Sequence, residues 1–426
     1  MSRWPVQTQG GEVNCVAIAG DGAVVIAGTY YRVASAVPQA IGTYAYHANG
    51  TLLWEDVVPP VTNAQGVPQN QGVYWVAVSR NGEWAASAGG DHKVPLPPTP
   101  GTGTLIAHEV ATGEKHTVLD KKIGGVNMVA LSGDGAYMVA GADAAYLFAR
   151  SRGNFDQTAE LREEVASTDS VTVVAISDDG AWVVYGTTAG KIVLVPNAAS
   201  LSEPAESMAW SAPAKHYIKS IAMAADGSGF AAVTTNRANA APGGPIDCHA
   251  YFFSLDSRRP SYFPVTKSEA SMWSFDGCDG VMSVAITADG SRVAAAANVT
   301  HADKRVSGLV FFFDTVSGER LWIQPTQFGP NSVSMDASGA QVAVADGFDP
   351  TGTALVSPGT FYIFDAYGAA RPMSGLLPNQ PSAVSWTIQV SADGRAIAAG
   401  SDDSRVYYFA AARQTAAEPA NTQMLT

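Results

Sequence analysis

The chain has no run of about 18 consecutive apolar residues, the minimum for a membrane-crossing helix. Its opening, MSRWPVQTQGG, lacks the apolar core of a secretory signal. Membrane insertion is therefore not expected. Cysteine is scarce: Cys15, Cys248 and Cys278 are too few for a disulfide framework, and no CxxC or CxxCH spacing exists for zinc, redox chemistry or haem attachment. A reducing cytoplasm is the simplest compartment, and a mature exported form whose signal has been removed is the alternative. Basic residues are in deficit, 25 Lys and Arg against 38 Asp and Glu, which leaves a formal charge of −13 over 426 residues. A phosphate backbone needs clustered cations, so nucleic acid is excluded as a partner, and a neutral or basic protein or peptide fits better. Catalytic signatures are missing as well. Seven scattered histidines, including His47, His108 and His249, fall in no HExxH or GxSxG setting.

What the chain does have is a repeat. The stretches IAGDGAVVIAG, LSGDGAYMVAG, ISDDGAWVVYG and VSADGRAIAAG share an apolar run, a turn pair and a second apolar run. The turn pairs fall at Asp21-Gly22, Asn81-Gly82, Asp134-Gly135, Asp179-Gly180, Asp226-Gly227, Asp289-Gly290, Ser338-Gly339 and Asp393-Gly394. Their mean spacing of about 53 residues is in the range of propeller blades. Three residues before each pair stands an apolar side chain (Ile18, Val78, Leu131, Ile176, Met223, Ile286, Met335, Val390), and two residues further back stands another. Period-two apolarity marks a strand, and Asp-Gly or Asn-Gly supplies the positive backbone angles of a tight hairpin.

A second strand pair follows each hairpin, clearest in GLVFFFDTVSGERLW and GTYAYHANGTLLW. The expected fold class is all-β: an eight-bladed β-propeller of four-stranded antiparallel blades over residues 1–411, followed by a polar tail at 412–426. The last copy ends at RVYYFA without an outer strand, while RWPVQTQGGEVNCVAI aligns with LWIQPTQFGPNSVSM of an earlier copy. The N-terminal segment around Trp4 is therefore expected to complete the eighth blade and cover its edge.

The stretch VSADGRAIAAGSDDSRVYYF resembles the WD40 repeat, although the Trp-Asp and Gly-His pairs are absent. FDTVSGERLW looks like the tryptophan-docking motif of eight-bladed quinoproteins, with YHANGTLLW a weaker match. The resemblance is to the broad WD40-like and quinoprotein-like propeller group, and it covers nearly the whole chain. It implies the fold without quinone redox chemistry, because the vicinal cysteine pair of the quinone dehydrogenases is missing; no cofactor is expected.

In such a blade the inner hairpin and the outer turn share one face, and the connections at the other strand ends share the opposite face. Those opposite connections are long: TYYRVASAVPQAI, GGDHKVPLPPTPGTG, TTNRANAAPGGPID, DGFDPTGTALVSPG, VVPPVTNAQGVPQNQG, LREEVASTDS and SEASMWSFDGCDG. On the tight-turn face only PNAASLSEPAES stands out. Long loops on a rigid ring read as a recognition surface, and equally as places where insertions are tolerated. The candidates for partner contact are Tyr30, Tyr31 and Arg32; Asp91, His92 and Lys93; Asn236 and Arg237; His301 and Asp303; Asp346, Phe348 and Asp349; and Asp402, Asp403 and Arg405. Aromatic and Arg side chains anchor interfaces, whereas Asp and Asn in turns often bond their own backbone. Asn14, Tyr74, Trp75, Asn127, Lys219, Asn331 and Trp386 begin inner strands near the channel mouth, where a ligand site and packing between blades are the two readings. The acidic groups DGFD, DDS and FDGCDG match no calcium-loop spacing, so a metal stays unassigned. Cys248 and Cys278 either pair as a disulfide or stand as separate thiols, and Cys15 reads as a small buried side chain.

The function expected is a non-catalytic binding platform for a protein or peptide. The alternative is an enzyme or cofactor binder, quinoprotein-like or a metal-dependent lactonase or hydrolase, with its site at the channel mouth.

Overall fold

The structure is a computed structural model that describes residues 2–8, 11–30, 40–58, 61–62, 68–92, 103–121, 125–161, 169–196, 208–213, 216–236, 248–255, 271–274, 280–301, 306–348, 359–372 and 385–410. These residues form eight antiparallel sheets, each with four strands in chain order from an inner to an outer edge, apart from the two features below. The inner strands are Glu12–Ile18, Pro68–Val78, Met128–Leu131, Val171–Ile176, Tyr217–Met223, Gly280–Ile286, Gly329–Met335 and Ser385–Val390. The eighth sheet takes its outer strand from the other end of the chain, Ser2–Gln7 pairing antiparallel with Arg405–Ala410 so that Trp4 lies opposite Tyr408. The second sheet gains a short fifth strand, Val61–Thr62, beside the extended start of its inner strand at Pro68 and Gln69.

Each inner hairpin is built the same way. The glycine of every turn pair has φ between 67° and 73°, and its amide donates to the carbonyl three residues back, as Gly22 does to Ala19. Only the glycine takes a positive φ, so the turns differ from the doubly positive form that the dipeptide suggests. The Asp earns its place through its side chain. Oδ1 of Asp21, Asp134, Asp179, Asp226, Asp289 and Asp393 accepts the backbone N–H two residues on. In four copies it also accepts a hydroxyl from two residues before, from Ser132, Ser177, Thr287 and Ser391. The Ser/Thr-x-Asp-Gly spacing thus records a closed local hydrogen-bond set. In blade seven the partners trade places, with Ser338 Oγ donating to Asp336.

The turns also link the blades. Around the central channel a backbone N–H of each blade donates to a carbonyl of the next: Gly20 to Arg80, Asn81 to Gly133, Gly133 to Asp178, Asp178 to Ala225, Asp226 to Ala288, Ala288 to Ala337, Ala337 to Ala392, and Asp393 back to Gly20. Eight bonds of 2.9–3.2 Å close this ring. The core lies in the wedges between adjacent sheets, where Val16, Val25, Tyr44 and Tyr408 pack across the seam of blades eight and one.

At the rim, two tryptophans dock on the following blade. Trp54 Nε1 donates to Val110 O at 2.9 Å and Trp322 Nε1 to Ala366 O at 3.2 Å. Each indole lies against a glycine of positive φ in the next outer turn; a Cβ added at Gly113 would stand 2.8 Å from Trp54 Cγ, and one at Gly368 3.0 Å from Trp322 Cγ. No Cα substituent fits there, which explains why both turns carry glycine.

Candidate functional site

Antiparallel blades sort the connections by face. The eight inner hairpins and the outer turns lie on one side, and the connections from second to third strands, together with those between blades, lie on the other. Every inner hairpin is tight. Two outer connections are not: Pro196 to Met208 in blade four and Ser254 to Ser271 in blade five. The second was absent from the sequence expectation, because Ser271–Ser274, read as part of a connection between blades, is the outer strand of blade five and pairs with His249–Phe252. On the opposite face, the segments numbered 31–39, 93–102, 237–247 and 349–358, which follow second strands in the sequence, lie outside the described residues.

Several candidate residues turn out to be occupied by the fold. Tyr30 is half-buried, against Tyr74 at a ring distance of 5.8 Å and over Gly72, where a Cβ would lie 2.2 Å from its ring. Asp346, expected on the surface, is fully buried. Its carboxylate accepts N–H bonds from Phe328 at 3.1 Å and Thr360 at 2.7 Å, and burial pushes its pKa up to about 7 against those bonds and the Tyr362 hydroxyl. Asp403 and Arg405 serve ring closure. The Asp403 carboxylate accepts from the Arg405 amide and the Tyr407 hydroxyl, while Arg405 Nε reaches Gln7 Oε1 at 3.1 Å on the N-terminal strand. Asp402 lies in the same turn, and Asn236 directly follows the second strand of blade five, Gly229–Thr235. His301 is exposed and bonds Ser307 Oγ at 2.7 Å.

Asp91 and His92 end the second strand of blade two opposite Gln71 and Asn70. Phe348 stands opposite Gly329, and Trp386 lies in the inner strand of blade eight. Tyr31, Arg32, Lys93, Arg237, Asp303 and Asp349 lie outside the described residues, as do Cys278 and the tail at 412–426. Cys248 is buried, its Sγ 3.4 Å from Thr235 Oγ1. Cys15 is also buried, and burial raises its thiol pKa well above the ordinary range.

Of the channel-mouth candidates on the long-connection face, Asn14, Asn127 and Trp75 are engaged between blades. Asn14 Nδ2 donates to Tyr74 O of the next blade at 3.0 Å, and Asn127 Nδ2 to Val171 O at 2.8 Å. Trp75 packs against the wedge between blades two and three. Among the described residues no three His, Cys, Asp or Glu side chains come together as metal ligands. No helix of the described residues is long and apolar enough to cross a membrane.

One charged group had no sequence signal. At the position before each Asp-Gly pair, six copies carry Gly or Ala, while Arg80 and Asp178 carry opposite charges. Their side chains meet across the intervening blade, Arg80 Nε lying 2.7 Å from Asp178 Oδ2. Finding this pair required knowing that equivalent positions form a ring, which no local pattern states.

This geometry defines an eight-bladed β-propeller. Solved structures with the same architecture include Sqt1 of Chaetomium thermophilum bound to the N-terminus of the ribosomal protein L10, with TM-score 0.64 at 13% identity, covering 96% of this chain and 98% of that one. Another is the Dos1 propeller, with TM-score 0.62 at 12% identity, covering 95% and 94% of the two chains. No protein-family model matches the chain, and no curated protein sequence matches it. At these identities the likeness concerns the fold.

Proposed function

We propose that the protein is a non-catalytic binding platform that holds a protein or peptide on its long-connection face. The observation that carries this reading is the contrast between faces: eight uniform hairpins laced by backbone bonds on one side, with long outer connections there only in blades four and five, and connections of varied length and composition on the other. A rigid ring that presents variable segments is the usual arrangement of a recognition surface. The architectural neighbour Sqt1 is described in complex with the N-terminus of a ribosomal protein. Transfer of that binding mode is analogy, since a fold hosts many functions. With a formal charge of −13 the surface favours a neutral or basic partner. The cytoplasm is the compartment this reading assigns, on the low cysteine count.

The test is capture from native-host lysate by the wild type and by two variants. Tyr31→Ala/Arg32→Ala/His301→Ala alters the long-connection face; Val316→Ala/Tyr367→Ala/Arg395→Ala alters exposed positions of the other face. The platform reading expects a partner retained by the wild type and the second variant and lost from the first. Loss only from the second variant contradicts it.

A further inference from the structure

The mouth of the channel on the tight-turn face is a separate feature. A cavity of ≈ 220 Å³ opens there, with every blade contributing to its wall. The innermost lining consists of apolar side chains such as Leu131, Met223 and Met335, and the outer lining consists of the residues preceding the turn pairs. Six of those are Gly or Ala, which keeps the mouth clear, and the remaining two are Arg80 and Asp178.

The pair is arranged for more than mutual neutralisation. Both side chains are 39% exposed, and an ion pair so placed contributes little to stability. Gly133 lies between them, where a Cβ would stand 2.9 Å from Asp178 Cγ, and a Cβ at Gly20 would stand 2.6 Å from Arg80 Cγ. The flanking glycines therefore make room for the two side chains. The contact between them runs from Arg80 Nε to Asp178 Oδ2, and a partly exposed guanidinium and carboxylate each carry further donor and acceptor positions beyond that one contact. The mouth thus presents a donor fork beside a carboxylate acceptor.

Charge decides what complements this arrangement. The other ionisable group in the wall, Asp336, is already bonded by Ser338 and Gln341. Carboxylates of the turn pairs ring the mouth on the same face, and their field opposes an anion. A cation would have to displace Arg80 from its partner. A neutral group with an acceptor next to a donor meets neither obstacle.

We propose that the tight-turn mouth is a second binding site, which takes a carboxamide: its carbonyl oxygen accepts from the Arg80 guanidinium and its N–H donates to Asp178. The cavity is smaller than the ~300–1,000 Å³ typical of drug-sized ligands, so the occupant is one small group, either the Gln or Asn side chain of a protein or a small primary amide. This site does not rest on the platform reading, since it lies on the opposite face and uses none of the same residues.

The test is saturation-transfer NMR on the full chain with four probes: propionamide, an N-acetylated and amidated Gly-Gln-Gly tripeptide, and the Gly-Glu-Gly and Gly-Lys-Gly analogues. Millimolar affinity is expected for so few heavy atoms. The amide probes should give transfer, reduced at least about tenfold in Arg80→Met and in Asp178→Asn, as loss of a charged hydrogen-bond partner implies. Arg80→Lys keeps the charge but not the fork, and should lose the signal too. Tighter binding of the Gln tripeptide than of propionamide identifies a protein side chain as the source; equal binding identifies a small amide. No transfer from either amide, equal or stronger transfer from the Glu or Lys tripeptide, or transfer unchanged in the variants overturns the proposal. Because the pair is exposed and weakly stabilising, the variants are expected to fold, which circular dichroism verifies.

Discussion

The Tyr408 hydroxyl donates to the carbonyl oxygen of Gly22 at 3.0 Å, joining the last blade to the first turn. The Gly22 amide is itself bonded to Ala19 within the turn, so the contact seats a complete hairpin of blade one on blade eight. Tyr408→Phe removes the donor, keeps the ring and leaves the carbonyl without this partner. It is expected to lower stability by about 1 kcal/mol, measured by urea unfolding.

The N-terminal strand supplies the outer edge of the eighth blade, with six residues in register from Ser2–Ala410 to Gln7–Arg405. Deleting residues 1–8 exposes that edge and removes the Gln7–Arg405 contact. The loss is expected to be on the order of several kcal/mol, with association through the bared strand. Thermal unfolding and light scattering check both; a deletion mutant as stable as the wild type and of the same association state contradicts strand closure.

Gly113 has φ +71° and faces the Trp54 indole. Gly113→Ala is expected to cost about 1–2 kcal/mol from the left-handed backbone alone, with more from the contact against Trp54. Trp54→Phe, which loses the bond to Val110 O, should cost about 1 kcal/mol. Denaturant midpoints separate the two.

Two carboxylates give opposite pH dependence. Asp56 bonds His108 Nε2 at 3.1 Å and Lys115 Nζ at 3.0 Å, and these partners, His108 foremost, bring its pKa down to about 2. A depressed folded-state pKa contributes stability that is complete above pH 4 and is lost as pH falls toward 2, on the order of 2 kcal/mol. Asp56→Asn should flatten the stability profile in that acid window.

Asp346 behaves in the reverse sense. With its pKa raised to about 7, the folded state binds its proton more tightly than the unfolded chain does, so its contribution is full below pH 4 and declines as pH rises through 7. The stability lost in Asp346→Asn should therefore be smaller at pH 8 than at pH 5. Urea unfolding at the two pH values measures it, and a larger loss at pH 8 contradicts the assignment.

The repeat made the blades and the closing strand readable from sequence, because period-two apolar residues and a fixed turn pair are local signals. Ile18, Val78 and Met223 could be placed without coordinates for that reason. The outer strand Ser271–Ser274 could not, since four residues are too few to show a period-two pattern and no tight turn precedes them. Asp346 was read as a surface group because a carboxylate in an irregular stretch usually is one; its burial depends on amides from Phe328 and Thr360, residues 18 and 14 positions away. Asn14, Asn127 and Arg405 look available in the sequence, and only the alignment of neighbouring blades shows that they are spent on carbonyls and on Gln7. The Arg80–Asp178 pair spans two blade boundaries and had no local trace at all.

Hydrogen–deuterium exchange of the protein with and without its captured partner tests the central claim most directly. A ring that recognises its partner through the long-connection face predicts protection at the strand ends there, around Tyr30, His92, Asn236, His301 and Phe348, with the amides around Gly22, Gly135, Gly227 and Gly339 unchanged. Protection concentrated at those glycine turns, or spread evenly over both faces, would contradict it.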